Sequence, residues 1–252
     1  MSKYFIGTSG WNYPHWRGVF YPPGLPKKDW FSYYTHTFNS IELNVTFYRM
    51  LPNSIFAGWR RKTPKGFYFV VKGPRFITHF NRLRNVESQV ESFFKAAECL
   101  KEKLAAILWQ FAPSFKKDTL IFSDFCALLK KYPYPQAFEF RQEGWFVEEV
   151  YKILSDFGMC LVIADSGNRF PCVKKIASNW VYLRFHGKEG LYSSCYSDSD
   201  LRGWADFVAD SKARKVFVFF NNDMQGFAVA NALRFRELLM KGKTSWVVNE
   251  SR

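Results

Sequence analysis

Phenylalanines alternate with Ala137, Glu139 and Arg141 over residues 137–141, and this period of two predicts a β-strand. Two phenylalanines occupy one face of the strand, and Glu139 and Arg141 lie on the opposite face. Apolar residues then recur at helical spacing over residues 146–154. A strand that runs straight into a helix is half of a βαβ unit, in which both faces of the sheet are usually covered. Charged side chains at the end of such a covered strand therefore suggest a functional site.

The same strand-to-helix pattern recurs along the chain. Strands are predicted at residues 4–11, 38–48 (with an exit loop), 67–72, 105–110, 137–141, 160–165, 180–187 and 216–222. Helices are predicted at residues 28–36, 52–63, 86–103, 119–131, 146–157 and 224–240, with a short helix after the sixth strand. A further helix ends at Ala209, and either Asp198 or Asp200 is predicted to cap its first turn.

Eight strands that alternate with helices over 252 residues match a (β/α)8 TIM-type barrel in number and in length. A doubly wound open sheet is the alternative. No GxGxxG motif follows the first strand and no GxxxxGK[ST] motif occurs, so the usual nucleotide-binding loops are missing. We therefore predict one (β/α)8-barrel domain over residues 1–252.

Composition and cysteine usage indicate the compartment. No apolar run approaches the roughly 18–20 residues that span a bilayer. Met1 is followed almost directly by the first strand, so no secretory signal is visible. The five cysteines form no CxxC pair, which favours reduced thiols over a disulfide framework or a zinc site. These features predict a cytoplasmic protein that does not enter a membrane.

The net charge of +14 limits the choice of partners. Such a balance is typical of proteins that bind nucleic acid or act on anionic substrates. The basic residues are scattered in small groups, however, and most fall on predicted helices or at helix ends, where a solvated surface is the simpler explanation. The charge thus favours small anions near the surface and leaves nucleic acid as a second partner class.

Polar or titratable residues end nearly every predicted strand, and (β/α)8 barrels form their sites at these carboxyl ends. The residues assigned to substrate binding are Thr8, Asn44, Lys72, Gln110, Arg141, Arg184, Asn221 and Asn222. The residues assigned to acid–base catalysis are Glu42, Glu139, Asp165 and His186. Any one of them could belong to an ion pair that closes the barrel mouth. A purely structural role is less plausible for the whole set, because buried charges are costly and add little net stability.

The balance of charge in this set argues against a metal centre. Divalent cations prefer carboxylates or histidines in excess of neighbouring cations, whereas Lys72, Arg141 and Arg184 match the acids here. We therefore assign no metal ligand, although the four catalytic candidates could form a carboxylate and histidine cluster; the cofactor is left open. The three cations are suited to holding a phosphate or carboxylate group. Pairing with Arg141 would keep Glu139 ionised, which suits a base.

Several motifs carry a resemblance to a known family. They are Gly7-Thr8-Ser9-Gly10-Trp11, Tyr21-Pro22, the stretch 38–48 (FNSIELNVTFY), Glu139-Phe140-Arg141 with Trp145, Ala164-Asp165, Arg184-Phe185-His186-Gly187 and Phe220-Asn221-Asn222. In this order, over nearly the whole chain, they resemble the YecE-like family, a domain-of-unknown-function family of bacterial and archaeal proteins. The resemblance implies a TIM barrel with a polar mouth. It implies no activity.

Three functional hypotheses follow. The first is an enzyme, a hydrolase, isomerase or lyase, that acts on a small anionic or phosphorylated substrate by acid–base chemistry at the barrel mouth. The second is a protein that binds or processes nucleic acid, for which the net charge argues. The third is a barrel that binds a ligand without catalysis. Neither the substrate nor the oligomeric state can be read from the sequence.

Overall fold

Parallel strands alternate with helices in the computed structural model, which describes residues 2–240. The strands are β1 (Lys3–Thr8), β2 (Ser40–Leu43), β3 (Tyr68–Lys72), β4 (Leu104–Gln110), β5 (Gln136–Glu139), β6 (Cys160–Asp165), β7 (Trp180–Phe185) and β8 (Lys215–Phe220). The helices are α1 (Trp30–Thr37), α2 (Val45–Tyr48), α3 (Asn53–Lys62), α4 (Glu87–Ala97), α5 (Thr119–Leu129), α6 (Glu148–Asp156), α7 (Asp198–Asp210) and α8 (Phe227–Met240).

The strands form one eight-stranded sheet in the order β1-β8-β7-β6-β5-β4-β3-β2, and every pair is parallel. The first and last strands of this order, β1 and β2, lie beside each other, so the sheet curves into a nearly closed barrel. The predicted (β/α)8 fold is thus confirmed. Residues 241–252 of the predicted domain lie outside the described residues.

Where β1 and β2 meet, side chains make the hydrogen bonds that backbone groups of adjacent strands make elsewhere in the sheet. We call this junction the seam. The Asn39 side chain accepts a hydrogen bond from the Ile6 amide (3.2 Å) and donates one to the Tyr4 carbonyl (2.8 Å). An amide side chain carries both a donor and an acceptor, so it can take the place of one backbone amide group in the hydrogen bonding between strands. Asn39 therefore satisfies backbone groups on β1 that a regular strand partner would otherwise satisfy.

Tyr34 closes the upper half of the same seam. Its hydroxyl accepts from the Thr8 amide (2.9 Å) and donates to the Ser40 carbonyl (3.1 Å). Gly7 makes this close approach possible, because a Cβ atom at that position would lie 2.1 Å from the Ser40 carbonyl oxygen. The seam therefore depends on a missing side chain as much as on added hydrogen bonds.

Apolar side chains fill most of the barrel interior. They are Phe5, Val70, Ala106, Leu108, Ala137, Cys160, Val162, Ala164, Trp180, Tyr182, Phe217 and Phe219. A larger apolar layer lies between the outer face of the sheet and the helices. The polar residues of the interior are confined to the carboxyl ends of the strands, above these packed apolar side chains.

The structure corrects the predicted elements in three places. Within the described residues 166–179 between β6 and β7 there is no helix, so the short helix predicted after the sixth strand is wrong. Ser197 caps α7 through a capping box with Asp200 at the third helical position, so neither predicted aspartate is the cap itself. The segment after β2, predicted as a loop, forms the single helical turn α2.

In residues 2–240 no helix combines the length and the apolar character needed to cross a membrane.

Candidate active site

Alternation along the strands decides which of the predicted site residues enter the barrel. Side chains two residues apart lie on the same face, so the polar residues that continue the interior apolar series also point inward. The predicted site residues that do so are Glu42, Asn44, Lys72, Gln110, Glu139, Arg141, Arg184, His186 and Asn221. The structure brings these nine positions together at one end of the barrel.

Asp165 does not join this group, because it follows Ala164 and lies on the outer face of β6. One carboxylate oxygen accepts from the Gly167 amide (3.0 Å), and the other lies 3.3 Å from the indole nitrogen of Trp204 on α7. The carboxylate thus shapes the loop after β6 and anchors it to α7. Its predicted catalytic role has no support in this geometry.

Thr8 and Asn222 also face outward. The Thr8 hydroxyl donates to the Gly10 carbonyl (2.7 Å) and is part of the seam. The Asn222 amide donates to the Ser194 carbonyl (2.8 Å) and to the Asn231 side chain (2.9 Å) on α8. Both residues therefore hold loops in place, in contrast to the substrate-binding roles predicted for them.

Arg184 lies at the centre of the inward-facing group and is 1% exposed. Its guanidinium donates to both carboxylate oxygens of Glu42 (2.9 and 2.6 Å) and to Glu139. Glu42 also accepts from the hydroxyls of Ser9 (2.7 Å) and Tyr182 (2.6 Å). We call these five residues the buried network. Sequence reasoning gave no role to Tyr182, although its position two residues before Arg184 places it on the same face.

Glu139 connects the buried network to the surface of a cleft. One of its oxygens accepts from Gln110 Nε2 and Arg141 Nε, both at 2.8 Å, and lies 3.7 Å from His186 Nε2. The Gln110 carbonyl oxygen in turn accepts from Lys72 Nζ at 2.9 Å. The amide of Gln110 thus stands between a carboxylate and an amine, and Lys72 has no direct ion pair with Glu139.

The charge state of the buried network follows from its pairing. Burial alone would raise the pKa of each glutamate, but the Arg184 guanidinium outweighs it and holds the pKa of Glu42 below its usual value. Arg184 and Arg141 together hold the pKa of Glu139 well below its usual value. Burial and then the charge of Arg184 lower the pKa of His186 to about 4. The carboxylates are therefore ionised, His186 is neutral, and neither glutamate is a strong base.

Lys72 differs from every group in the buried network. Burial, followed by the charge of Arg184, lowers the pKa of its amine to about 7, against the opposing effect of Glu139. Its Nζ atom lies 3.9 Å from the ring centroid of Phe47. Near neutral pH this amine therefore exists in both protonation states, as acid–base catalysis requires.

A cleft of about 550 Å³ opens above these residues. It is lined by Tyr13, Asn44, Phe47, Tyr48, Lys72, Arg75, His79, Phe80, Gln110, Arg141, Tyr192, Asn221 and Asp223. We call Asn44, Lys72, Arg75 and Arg141 the cleft wall. The Oδ1 atom of Asn44 is buried and has no hydrogen-bond partner among the described residues.

The lining residues that were not among the predicted site residues include Arg75, Tyr192 and Asp223. These three lie on the loops after β3, β7 and β8, where no periodic pattern indicates which side chains turn toward the barrel axis. Proximity to the carboxyl end of a strand was the only signal available for them. Their place in the cleft is decided by how the loops pack.

Within residues 2–240 no three His, Cys, Asp or Glu side chains are grouped so as to hold a metal ion. Glu42 and Glu139 instead share Arg184 as the cation between them.

The fold and the cleft define the class of protein: a (β/α)8 barrel with a charged site at the carboxyl ends of its strands. The chain belongs to the DUF72 family of proteins of unknown function, whose sequence model matches residues 5–251. The predicted membership of a domain-of-unknown-function family with a barrel fold is thus confirmed.

Relatives match nearly the whole chain. It is 27% identical over 269 residues to the UPF0759 protein YunF of Bacillus subtilis (strain 168), which covers 93% of this chain and 94% of that protein. A DUF72 family protein from Thermotoga maritima MSB8 is 32% identical and has a TM-score of 0.84, over 94% of this chain and 99% of that one. A DUF72 family protein from Enterococcus faecalis V583, 20% identical with a TM-score of 0.82 over 99% of each chain, is similar in fold alone.

Proposed function

We propose that this protein is an enzyme that acts on a small anionic substrate by acid–base chemistry in the cleft. The observation that carries the proposal is a buried amine, Lys72, that lines an open cleft and has no carboxylate partner within residues 2–240. Hydrolysis, isomerisation and elimination all fit a site that combines an anion-binding wall with one titratable group. The substrate is a carboxylate or a phosphate ester.

Arg141 supplies the main anion contact. Its Nε atom donates to Glu139, and within residues 2–240 no protein acceptor lies in hydrogen-bonding range of its terminal nitrogens. Its guanidinium lies over the Phe170 ring, 4.3 Å from the centroid, so the side chain is held in place from two directions. A fixed guanidinium with free donors is suited to a carboxylate or phosphate group.

The acid–base role belongs to Lys72, and the buried network positions it. Glu42, Glu139 and His186 lie beneath the cleft and do not line it, so they act on the substrate only through their neighbours. Glu139 orients Gln110 and Arg141, and Gln110 holds the Lys72 amine. The catalytic roles predicted for these acids thus become positioning roles in this proposal.

A thermal-shift titration with inorganic phosphate, pyruvate and a sugar phosphate tests the proposal. A ligand present at about 100 times its dissociation constant stabilises the fold by about 2.7 kcal/mol, which such a titration detects. We expect Arg141→Gln to weaken binding about tenfold or more, because one charge-assisted contact is lost. The matched control is Arg202→Gln on the exposed face of α7, which should bind as the parent does.

Two results would contradict this function. One is the absence of any shift with the three anions. The other is an equal loss of binding in Arg141→Gln and Arg202→Gln, which would place the anion on the basic exterior.

Single-stranded nucleic acid is a second candidate ligand, and one feature of the cleft rim favours it. Tyr48 and Phe80 are 65% and 64% exposed, and the Arg75 guanidinium lies 5.5 and 5.3 Å from their ring centroids. Exposed rings beside a cation form the kind of surface on which unpaired bases stack. Oligonucleotide affinity should then fall about tenfold or more between 50 and 200 mM salt and drop in Tyr48→Ala. Affinity unaffected by either change would exclude this candidate.

A further inference from the structure

Two buried lysines of this chain have very different surroundings. The amine of Lys103 donates to the carbonyls of Arg60 (2.9 Å) and Thr63 (2.6 Å) and to the Thr63 hydroxyl (2.8 Å). The amine of Lys72 donates only to Gln110, and no carboxylate of the described residues lies within ion-pair distance of it. An ammonium has three donors, so Lys103 is fully satisfied and Lys72 is not.

The surroundings of Lys72 favour its neutral form. The residue is only 6% exposed, and its amine shares the site with two arginines that are fixed on Glu139. Burial and the charge of Arg184 accordingly bring its pKa to about 7. A lysine that is desolvated and placed next to other cations is the usual form of an activated amine nucleophile.

We propose that Lys72 forms a covalent imine with the carbonyl group of a substrate that also carries a carboxylate or phosphate. This inference rests on the proposed function and names its substrate class: an anionic aldehyde or ketone. It keeps the anionic substrate of the proposed function but makes Lys72 a nucleophile that forms a bond to carbon, in place of a general acid or base.

The step balances without any other reactant. The neutral amine adds to the carbonyl carbon, a C–N bond forms, and the C=O π bond breaks as the oxygen takes up the proton that nitrogen loses. The resulting hydroxyl takes one proton from solvent and leaves as water, and the nitrogen lone pair forms the C=N bond of the iminium ion. The iminium then withdraws electrons from the neighbouring carbon, which promotes proton removal or bond cleavage there.

The rest of the cleft wall suits such a substrate. Arg141 and Lys72 are linked through Glu139 and Gln110, so an anion on the arginine lies in the same cleft as the amine. The unpartnered Oδ1 atom of Asn44 offers an acceptor for a substrate hydroxyl. A volume of about 550 Å³ lies within the range of small-molecule sites and accommodates a short phosphorylated or carboxylated chain.

Reductive trapping tests the inference on the full-length protein. Pyruvate and dihydroxyacetone phosphate serve as probes at pH 7 with sodium cyanoborohydride, which reduces an iminium to a stable secondary amine. Intact mass and peptide mapping should show one adduct, on Lys72, formed at least about tenfold faster than on any other lysine. Lys103 is the internal control for a buried lysine whose donors are occupied.

Two variants and a neutral probe test whether labelling depends on the Lys72 amine and on the bound anion. Lys72→Met should lose the adduct while it keeps a melting temperature no lower than that of the parent, because it removes a buried amine without a carboxylate partner. Arg141→Gln should slow labelling by pyruvate about tenfold. Acetone, which has the carbonyl but no anion, should label Lys72 more slowly than pyruvate.

The outcomes separate this inference from the proposed function. If small anions stabilise the protein but Lys72 is not labelled, the imine is wrong and the anion-binding enzyme stands. Adducts spread evenly over exposed lysines would also overturn the imine. If the anions neither stabilise the protein nor compete with labelling, the proposed function itself fails.

Discussion

The buried network and the cleft wall lie next to each other and are both rich in charge, but they are built differently. In the buried network each carboxylate oxygen has at least one donor, and Arg184 donates to both glutamates. In the cleft wall, counting the described residues, Asn44 Oδ1 lacks a partner, and Lys72 has one acceptor for three donors. Polar atoms whose hydrogen bonds are all satisfied within the protein keep the site rigid. Polar atoms with unsatisfied hydrogen bonds are available to a ligand.

The contrast shows why the same residue types have different consequences a few ångströms apart. Arg184 is enclosed by its partners and cannot reach a substrate, while Arg141 keeps its terminal nitrogens for one. If this contrast is right, substitutions in the buried network should mainly reduce stability, and substitutions in the cleft wall should mainly reduce ligand affinity.

The largest effect is expected from Arg184→Met, which leaves Glu42 and Glu139 buried without their shared cation. Breaking a buried ion pair by removing one partner costs about 3–5 kcal/mol. Urea unfolding measures the change in the free energy of unfolding. A loss below about 1 kcal/mol would mean that the network contributes no more than a surface pair does.

Two further variants make that test specific. Adding Glu42→Gln and Glu139→Gln to Arg184→Met should recover part of the lost stability, because the unpaired charges are then gone. Arg202→Met, at an exposed ion pair of α7, is the control and should unfold close to the parent.

An intermediate effect is expected on acidification. The folded pKa of His186 is about 4 against an ordinary 6.5, and that of Glu139 is well below 4.5. The unfolded chain therefore binds protons first as the pH falls, so stability that is complete above pH 6.5 declines below it. We expect a loss of about 3 kcal/mol by pH 4, measured by urea unfolding across that range.

His186→Asn should show a shallower decline over the same range, because the imidazole no longer titrates. A decline equally steep in His186→Asn and in the parent would assign acid sensitivity to other groups.

The smallest effect on stability is expected from Asn44→Ala in the cleft wall. The side-chain oxygen makes no hydrogen bond with the described residues, so its removal should change the free energy of unfolding by less than about 1 kcal/mol. The affinity for a sugar phosphate, which carries hydroxyl donors, should fall, because the acceptor for one hydroxyl is lost. Thermal melting with and without the sugar phosphate measures affinity and stability together, and a loss of stability like that of Arg184→Met would remove the distinction between the two regions.

Much of this site was visible in the pattern of the chain. Alternation around Glu139 and Arg141 placed both on one face, and the recurrence of strand and helix indicated the barrel end where they meet. The same period of two, applied to Asp165 and Asn222, would have placed them on the outer face. The two residues entered the predicted site because polar residues near strand ends were collected without following the face.

Local periodicity along the chain was enough to predict the eight strands, the barrel and the polar strand ends that carry Glu42, Lys72, Glu139 and Arg184. The chemistry of each of these residues depends instead on contacts between strands that lie far apart in the sequence. Which carboxylate meets Arg184, and that Lys72 meets an amide instead, depends on how β2, β3, β5 and β7 face one another across the barrel. Burial and pairing are properties of that three-dimensional arrangement, so no spacing along the chain encodes the pKa of Lys72.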